Sequence, residues 1–394
     1  MPGPLDGFRI IDVSQMISGP LATMWLGDQG ADVVKVEPPG SGDIVRRLGA
    51  SRGDMTPTFA TSNRNKRSVA LDLKHPEGLR ALERLSRGAD AFVQNFRPGK
   101  AEKMGIGEAR LRELNPSLVY VSITGFGETG PYANKRVYDP VIQAISGLAD
   151  IQTDRDSGRP RMVRVIIPDK VTALTAAQAI TAALLARERS GEGQHVRLSM
   201  LDATVSLLWP EGMAGQTFLS DRKRLSRPSL AQDLIFETRD GYITTGAVSD
   251  AEWEGLALAT EHPEWLEDER FRTPASRVAH VGARLALMAE ALKDRGSAEW
   301  LERLEAREVP CAPVLRREEL ADFPQIRENQ LLVEDPHPQA GAMRQPRPAP
   351  RFEGTPASIR RPAPGLGEHT DEVLAEVGYT ATQIEALRST GAVA

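Results

Sequence analysis

The chain has 394 residues, of which 40% are hydrophobic, 26% charged and 5% aromatic, and its net charge is −5. That length exceeds one ordinary core and points to two domains. The acidic balance does not suggest non-specific attraction to nucleic acid or anionic membrane, and so few aromatics give no stacking platform for single strands.

One cysteine, Cys311, excludes an internal disulfide and argues against a thiolate metal site. Within Val309-Pro310-Cys311-Ala312 it reads as a small apolar residue. The opening residues MPGPLD carry no basic stretch and no apolar run, so no signal peptide is expected. The best membrane candidate, residues 174–186, is short and broken by Thr175, Gln178 and Thr181. A cytoplasmic protein is the expectation.

Residues 8–13 (FRIIDV) read as a buried strand, 22–29 as a short helix and 31–37 (ADVVKVE) as a second strand. Residues 68–73, 91–96 and 118–124 give further strands, with helices at 75–87 and 107–114 between them. Val- and Ile-rich strands alternating with helices predict an α/β, Rossmann-like domain, a parallel sheet covered on both faces. Residues 173–189 form a long alanine-rich helix stopped by Ser190-Gly-Glu-Gly193. A strand at 195–200 follows, with Asp202 placed to cap the next helix.

Composition turns polar at 218–227, which suggests a boundary: a large domain over 1–217 and a small α+β domain over 226–325. The small domain opens with a hairpin over 234–248 that turns at Asp240-Gly241. Charged amphipathic helices follow over 252–307. Residues 326–394 form a linker arm and two helices. Prolines recur in the arm at Pro336, Pro338, Pro346, Pro348, Pro350, Pro356, Pro362 and Pro364, an extended, irregular stretch with Phe352 and Ile359 as possible anchors. Gly378 suits the stop of the first terminal helix, and Thr380 with Gln383 makes a capping box for the second.

Gly125-Phe-Gly-Glu-Thr-Gly130 matches a dinucleotide fingerprint only formally. It follows a late strand and runs into Pro131, whereas the fingerprint belongs to a first strand leading into a helix. A glycine-rich loop shaping another pocket is the better reading. None of the six histidines (His75, His195, His262, His280, His337, His369) pairs with another at helical metal spacing. Asp169 follows Val165-Ile-Ile-Pro168 and stands before the long helix, where the dipole favours a carboxylate. Helix capping explains that placement at least as well as catalysis does.

The motifs taken together resemble the class III CoA-transferases, the formyl-CoA transferase and carnitine CoA-transferase (CaiB/BaiF) family. The resemblance runs nearly end to end. It rests on Gly19-Pro20, the run from Leu26 to Glu37, Gly40-Ser-Gly-Asp43, Asn65-Lys-Arg-Ser68 and Asn95-Phe-Arg-Pro-Gly99. It continues through Gly125 to Tyr132, Tyr138-Asp139, Asp169, Gly191-Glu-Gly-Gln-His195 and Gly367-Glu-His-Thr-Asp-Glu372.

This resemblance implies a large Rossmann-like domain built from both chain ends, a small inserted domain, and a homodimer interlocked like chain links. It implies no prosthetic group; coenzyme A and acyl-CoA are substrates. Asp169 would attack the donor thioester and pass through a mixed anhydride and an aspartyl-CoA thioester. CoA contacts carry over to Ile17 and Ser18, to Leu71, Asp72, Leu73 and Lys74, and to Asn95, Phe96 and Arg97. Lys103, Arg136, Tyr138 and Asp139 complete the set.

Departures stand at Pro38, Gln15, Ile17 and Thr244-Thr-Gly-Ala247, and argue against oxalate and formyl-CoA as the natural pair. The resemblance also covers α-methylacyl-CoA racemase, but Tyr138 occupies the place of its histidine base, and tyrosine is a poor base near neutral pH. A non-catalytic CoA-binding protein is the other alternative. Arg46, Arg47, Arg64 and Arg164 are candidates to hold the distal carboxylate of a dicarboxylic acid.

Overall fold

The computed structural model describes residues 1–154, 156–219 and 233–394. The boundary expected at 218–227 therefore lies outside the described residues, apart from Phe218 and Leu219. The chain divides into two compact units, Met1–Trp209 with Gln330–Ala394, and Pro210–Asn329.

The first unit is a doubly wound α/β fold. Its strands are β1 (Arg9–Asp12), β2 (Asp32–Glu37), β3 (Lys66–Ala70), β4 (Ala91–Gln94), β5 (Val119–Thr124) and β6 (His195–Ser199). They pair in parallel in the order β3-β2-β1-β4-β5-β6. Ile10 stands opposite Val33 on one side and Ala91 on the other. Strand order reverses between β1 and β4, and in such sheets ligands bind in the crevice beyond that switch point.

One face of the sheet packs on α1 (Ser18–Asp28) and the long α5 (Ile167–Ser190), where Ala173, Ala176, Ile180 and Leu184 meet Val93, Val121 and Ile123. The small side chains of α5 let its backbone approach the sheet closely. The other face packs on α2 (Pro76–Arg87) and α3 (Glu108–Leu114), and on α10 (Thr370–Glu376) and α11 (Ala381–Ser389) returning from the C-terminus. Between β5 and α5 lies α4 (Asp139–Ile145).

Several local expectations change. Helix α1 begins at Ser18, four residues before the predicted start, because Pro20 fits a first turn that needs no N–H there. Asp202 is not a cap: Ser199 Oγ accepts the Asp202 N–H at 3.0 Å and starts α6 (Met200–Gly212). Part of the proline-rich arm is regular, an antiparallel pair of Leu332–His337 and Gly341–Pro346. Beyond it, Phe352 is 37% exposed, whereas Ile359 is half-buried. Polar bonds also hold the segment: Ser358 N–H to Asp28 O at 2.9 Å, Arg360 Nη2 to Gly27 O at 2.7 Å, and Asn65 N–H to Arg361 O at 3.1 Å.

The second unit joins an antiparallel sheet, β7 (Ile235–Glu237), β8 (Tyr242–Thr245) and β9 (Cys311–Pro313), to helices α7 (Asp250–Ala259), α8 (Val281–Ala291) and α9 (Ser297–Glu305). Trp253, Trp265, Phe271 and Trp300 centre its core. No helix among the described residues is long and apolar enough to cross a membrane.

Candidate active site

The loops after β1 and β4 meet at the switch point. Gln15 N–H donates to Asn95 Oδ1 at 2.9 Å, and Asn95 Nδ2 returns a bond to Gln15 O at 2.6 Å. Met16 adopts φ 68, a left-handed conformation unusual for a side-chain-bearing residue, and Ile17 and Ser18 then open α1. Gly19 is required by closeness: a Cβ there would stand 2.3 Å from Ser14 Oγ.

A buried charge network holds this loop from below. The Asp12 carboxylate accepts from Lys66 Nζ at 2.8 Å, Thr23 Oγ1 at 2.7 Å and Ser14 N–H at 2.9 Å, and from the Ser14 hydroxyl. Lys35 Nζ donates to Ser14 O at 3.0 Å and Asp43 Oδ2 at 3.1 Å, while Asp43 Oδ1 takes the Met16 N–H at 3.2 Å. Burial pushes Lys66 down to about 8, against the pull of Asp12. Burial alone would raise Asp12, but the Lys66 and Lys35 ammonium groups outweigh it and hold it below the usual carboxylate range. Buried ions of this kind contribute geometric definition more than net stability, and none is free to move without orphaning its partner.

Asp169 stands in the first turn of α5. The N-cap is Ile166, with no side-chain cap, so the capping reading of Asp169 is overturned. Its carboxylate is left for other work. Burial pushes Asp169 up to about 7, the Asp139 charge adds to the rise, and the Ser18 backbone N–H opposes it. Asp139 itself is 2% exposed and faces inward. Its Oδ2 accepts the Asp169 N–H at 3.1 Å, and its Oδ1 accepts from Gln143 Nε2 at 2.6 Å.

The remaining sequence-derived residues fall into three groups. Ile17, Ser18 and Asn95 frame the switch point. Phe96 is half-buried beside them; its N–H bonds Gln94 Oε1 at 2.7 Å, and Gln94 bonds Ser122 at 2.9 Å, which bonds His195 Nε2 at 2.8 Å. Lys74, Arg97, Lys103, Arg136 and Tyr138 are exposed. Leu71 is 1% exposed within the core, Leu73 packs against that core, and Asp72 accepts the Lys74 N–H at 2.9 Å.

Of the four arginines, two are structural. Arg46 grips Glu37 with bonds of 2.7 and 2.7 Å, and Arg64 grips Asp28 with bonds of 3.0 and 2.8 Å. Arg47 and Arg164 are exposed. Sequence reasoning missed Gln143, a neutral residue in an ordinary helix. It also missed Lys35, Lys66 and Asp12 as one network, although charged residues inside apolar strands are the signal that finds them. Among the described residues no three of His, Cys, Asp and Glu gather as metal ligands would.

A doubly wound sheet whose switch-point loops meet a carboxylate in the first turn of a helix defines an α/β protein with a ligand crevice at that point. Comparison narrows the class. Residues 5–370 match the model of CoA-transferase family III. Human "Succinyl-CoA:glutarate CoA-transferase" is 34% identical over 397 residues, 99% of this chain and 90% of that protein. "Succinate--glutarate CoA-transferase" from Agrobacterium fabrum is 35% identical over 95% of this chain and 96% of its own. The crystal structure of a CaiB/BaiF family protein from Brucella suis superposes with a TM-score of 0.82 at 31% identity, over 96% of this chain and all of that one. The chain belongs to CoA-transferase family III.

Proposed function

We propose that this enzyme moves coenzyme A from an acyl-CoA donor to a free dicarboxylic acid, with Asp169 as the covalent nucleophile. The observation that carries this is the Asp169 carboxylate, uncommitted to capping, beside the Ser18 N–H at the switch point.

The ionised carboxylate attacks the donor carbonyl, the C–S bond breaks, and a mixed anhydride and CoA thiolate form. The thiolate attacks the aspartyl carbonyl, expelling the donor acid and leaving aspartyl-CoA. The acceptor carboxylate displaces CoA from it, and the thiolate then takes the acyl group from the new anhydride, freeing Asp169. One thioester replaces another, so covalent catalysis needs no external driving force. The Ser18 N–H is positioned to receive charge that develops beside the aspartyl carbonyl.

The chain of CoA lies on this reading along residues 15–18 and the turn at Asn95 to Gly99. Lys74, Arg97, Lys103 and Arg136 serve its phosphates. Asp139 reaches the site through the Asp169 N–H, while Leu71 is buried in the core beneath the sheet's other face. Both relatives named above carry diacid names, which favours dicarboxylates. The working form on this reading is a cytoplasmic, interlocked homodimer in which a large domain is built from both chain ends. Leu174, Leu185, Leu207 and Trp209 stand 58%, 53%, 53% and 44% exposed, apolar surface that a second copy would cover.

The test is incubation with acyl-CoA donors and a panel of acids, with new thioesters read by mass spectrometry beside Asp169→Ala. New thioesters from the wild type alone support the proposal. Exchange of the α-proton of a 2-methylacyl-CoA without any new thioester supports racemisation instead.

A further inference from the structure

A dicarboxylic acid presents one carboxylate to the nucleophile and must place a second one somewhere. Left in water it confers no selectivity; held by a fixed guanidinium it does, because a planar fork meets a carboxylate with two parallel bonds. The guanidinium must be near Asp169, uncommitted, and carried on backbone that does not drift.

Arg164 meets all three conditions. It lies five residues before Asp169 and is exposed, and among the described residues no hydrogen bond or ion pair engages it. An extended chain of five residues reaches at most roughly 17 Å. Here the path is shortened by a tight turn in which Ile167 N–H donates to Val165 O at 2.9 Å.

The backbone on either side of Arg164 is pinned by one buried side chain. Gln143, 2% exposed, accepts the Val163 N–H at 3.0 Å and donates toward Val163 O at 3.3 Å and Val165 O at 3.5 Å. The same amide donates to Asp139, which holds the Asp169 N–H. Arg164 and Asp169 are therefore mounted on one brace. Arg46 and Arg64 are spent on Glu37 and Asp28. Among the described residues Arg47 has no partner either, but its turn, Ile44–Arg47, shares no bond with the Asp139–Gln143 brace.

We propose that Arg164 is the specificity-determining residue for the acid, binding the distal carboxylate of a short dicarboxylate whose proximal carboxylate meets Asp169. This rests on the transferase reading above and names the substrate class of that same site.

The experiment compares glutarate with pentanoate, which has the same carbon count and one carboxylate fewer, with succinyl-CoA as donor throughout. In an exchange through a covalent enzyme form, kcat/KM for the acceptor reports only the second half-reaction, so donor effects cancel. Arg164→Gln is expected to lower kcat/KM for glutarate about 10- to 100-fold, the worth of hydrogen bonds to a charged group. Pentanoate should change less than about 2-fold on the same reasoning. Arg164→Lys should keep part of the preference, since it restores charge without the fork. An equal fall for both acids, an unchanged preference, or a collapse in Arg47→Gln instead overturns the proposal.

Incorporation of labelled succinate into succinyl-CoA checks the transferase reading by itself. Its absence in the wild type fails that reading and the inference with it. Its presence in a wild type indifferent to glutarate over pentanoate overturns the role of Arg164 alone.

Discussion

Asp139 holds Asp169 in two opposing ways: its carboxylate accepts the Asp169 N–H at 3.1 Å, and its charge raises the Asp169 side chain. The backbone bond fixes where the helix begins, while the charge keeps the carboxylate reactive. A carboxylate at about 7 is a stronger nucleophile than one at its ordinary 3.8, yet half of it is ionised at neutral pH.

The first prediction follows directly. Activity toward the donor should rise with pH and level off above about 7, as Asp169 ionises. Asp139→Asn removes the charge and should move that rise to lower pH. It also sets the asparagine NH2 against one of two donors, Gln143 Nε2 or the Asp169 N–H, so a loss of about 1–3 kcal/mol in stability is expected. A pH profile of kcat/KM for the donor measures the shift, and an unmoved profile would remove Asp139 from the account.

Stability should carry the same signature with a definite sign. The folded value, about 7, lies above the ordinary 3.8, so the native state binds the extra proton between them. Stability is then fully present below about 4 and is lost as pH rises through about 7. Asp169→Asn escapes this loss. It should melt higher than the wild type at pH 8, with the gap closing toward pH 4. Thermal unfolding across that range reads the gap; a gap independent of pH counts against a raised Asp169.

The tie across the switch point gives a third expectation. Asn95→Ala removes both bonds to Gln15, of 2.9 and 2.6 Å, and frees the residues that lead to Ser18. Misplacement of about 1 Å at a reacting centre costs on the order of 100-fold. Asn95→Ala should therefore lose about that much in kcat/KM for the donor, and Asn95→Asp, which keeps the acceptor for Gln15 N–H, should lose less. Steady-state kinetics of the three proteins decides it.

Much of this fold was legible. Alternation of short apolar runs with helices located all six parallel strands to within a few residues, the inner ones because a strand buried on both faces reads as a near-continuous apolar run, and edge strand β6 by its alternation. Asp169 was legible as a position but not as a function. Capping and catalysis use the same residue at the same helix end, and only the Ile166 cap and the Ser18 N–H separate them. The hairpin Leu332–His337 with Gly341–Pro346 was hidden by its own prolines, which read as irregular chain yet sit where edge pairing tolerates them. Gln143 was invisible, since a glutamine in a helix carries no signal until its partners from residues 139, 163 and 165 are brought together.

The last prediction concerns the charges under the loop. Lys66 Nζ is fully buried and bonds Asp12, Pro20 O and Asn63 at 2.8, 2.7 and 2.9 Å. Lys66→Met keeps the volume but leaves the Asp12 carboxylate with one ammonium fewer, and breaking a buried pair from one side costs about 3–5 kcal/mol. Asp12 also orients Ser14 and Thr23, so the damage should reach residues 14–18 and the donor site. The double variant Lys66→Met with Asp12→Asn removes the orphaned charge. It should recover a large part of the lost stability while leaving activity low, because the loop still lacks its anchor. Denaturant unfolding of the wild type, both single variants and the double variant measures the coupling. Additive losses would mean that the two residues support the loop independently.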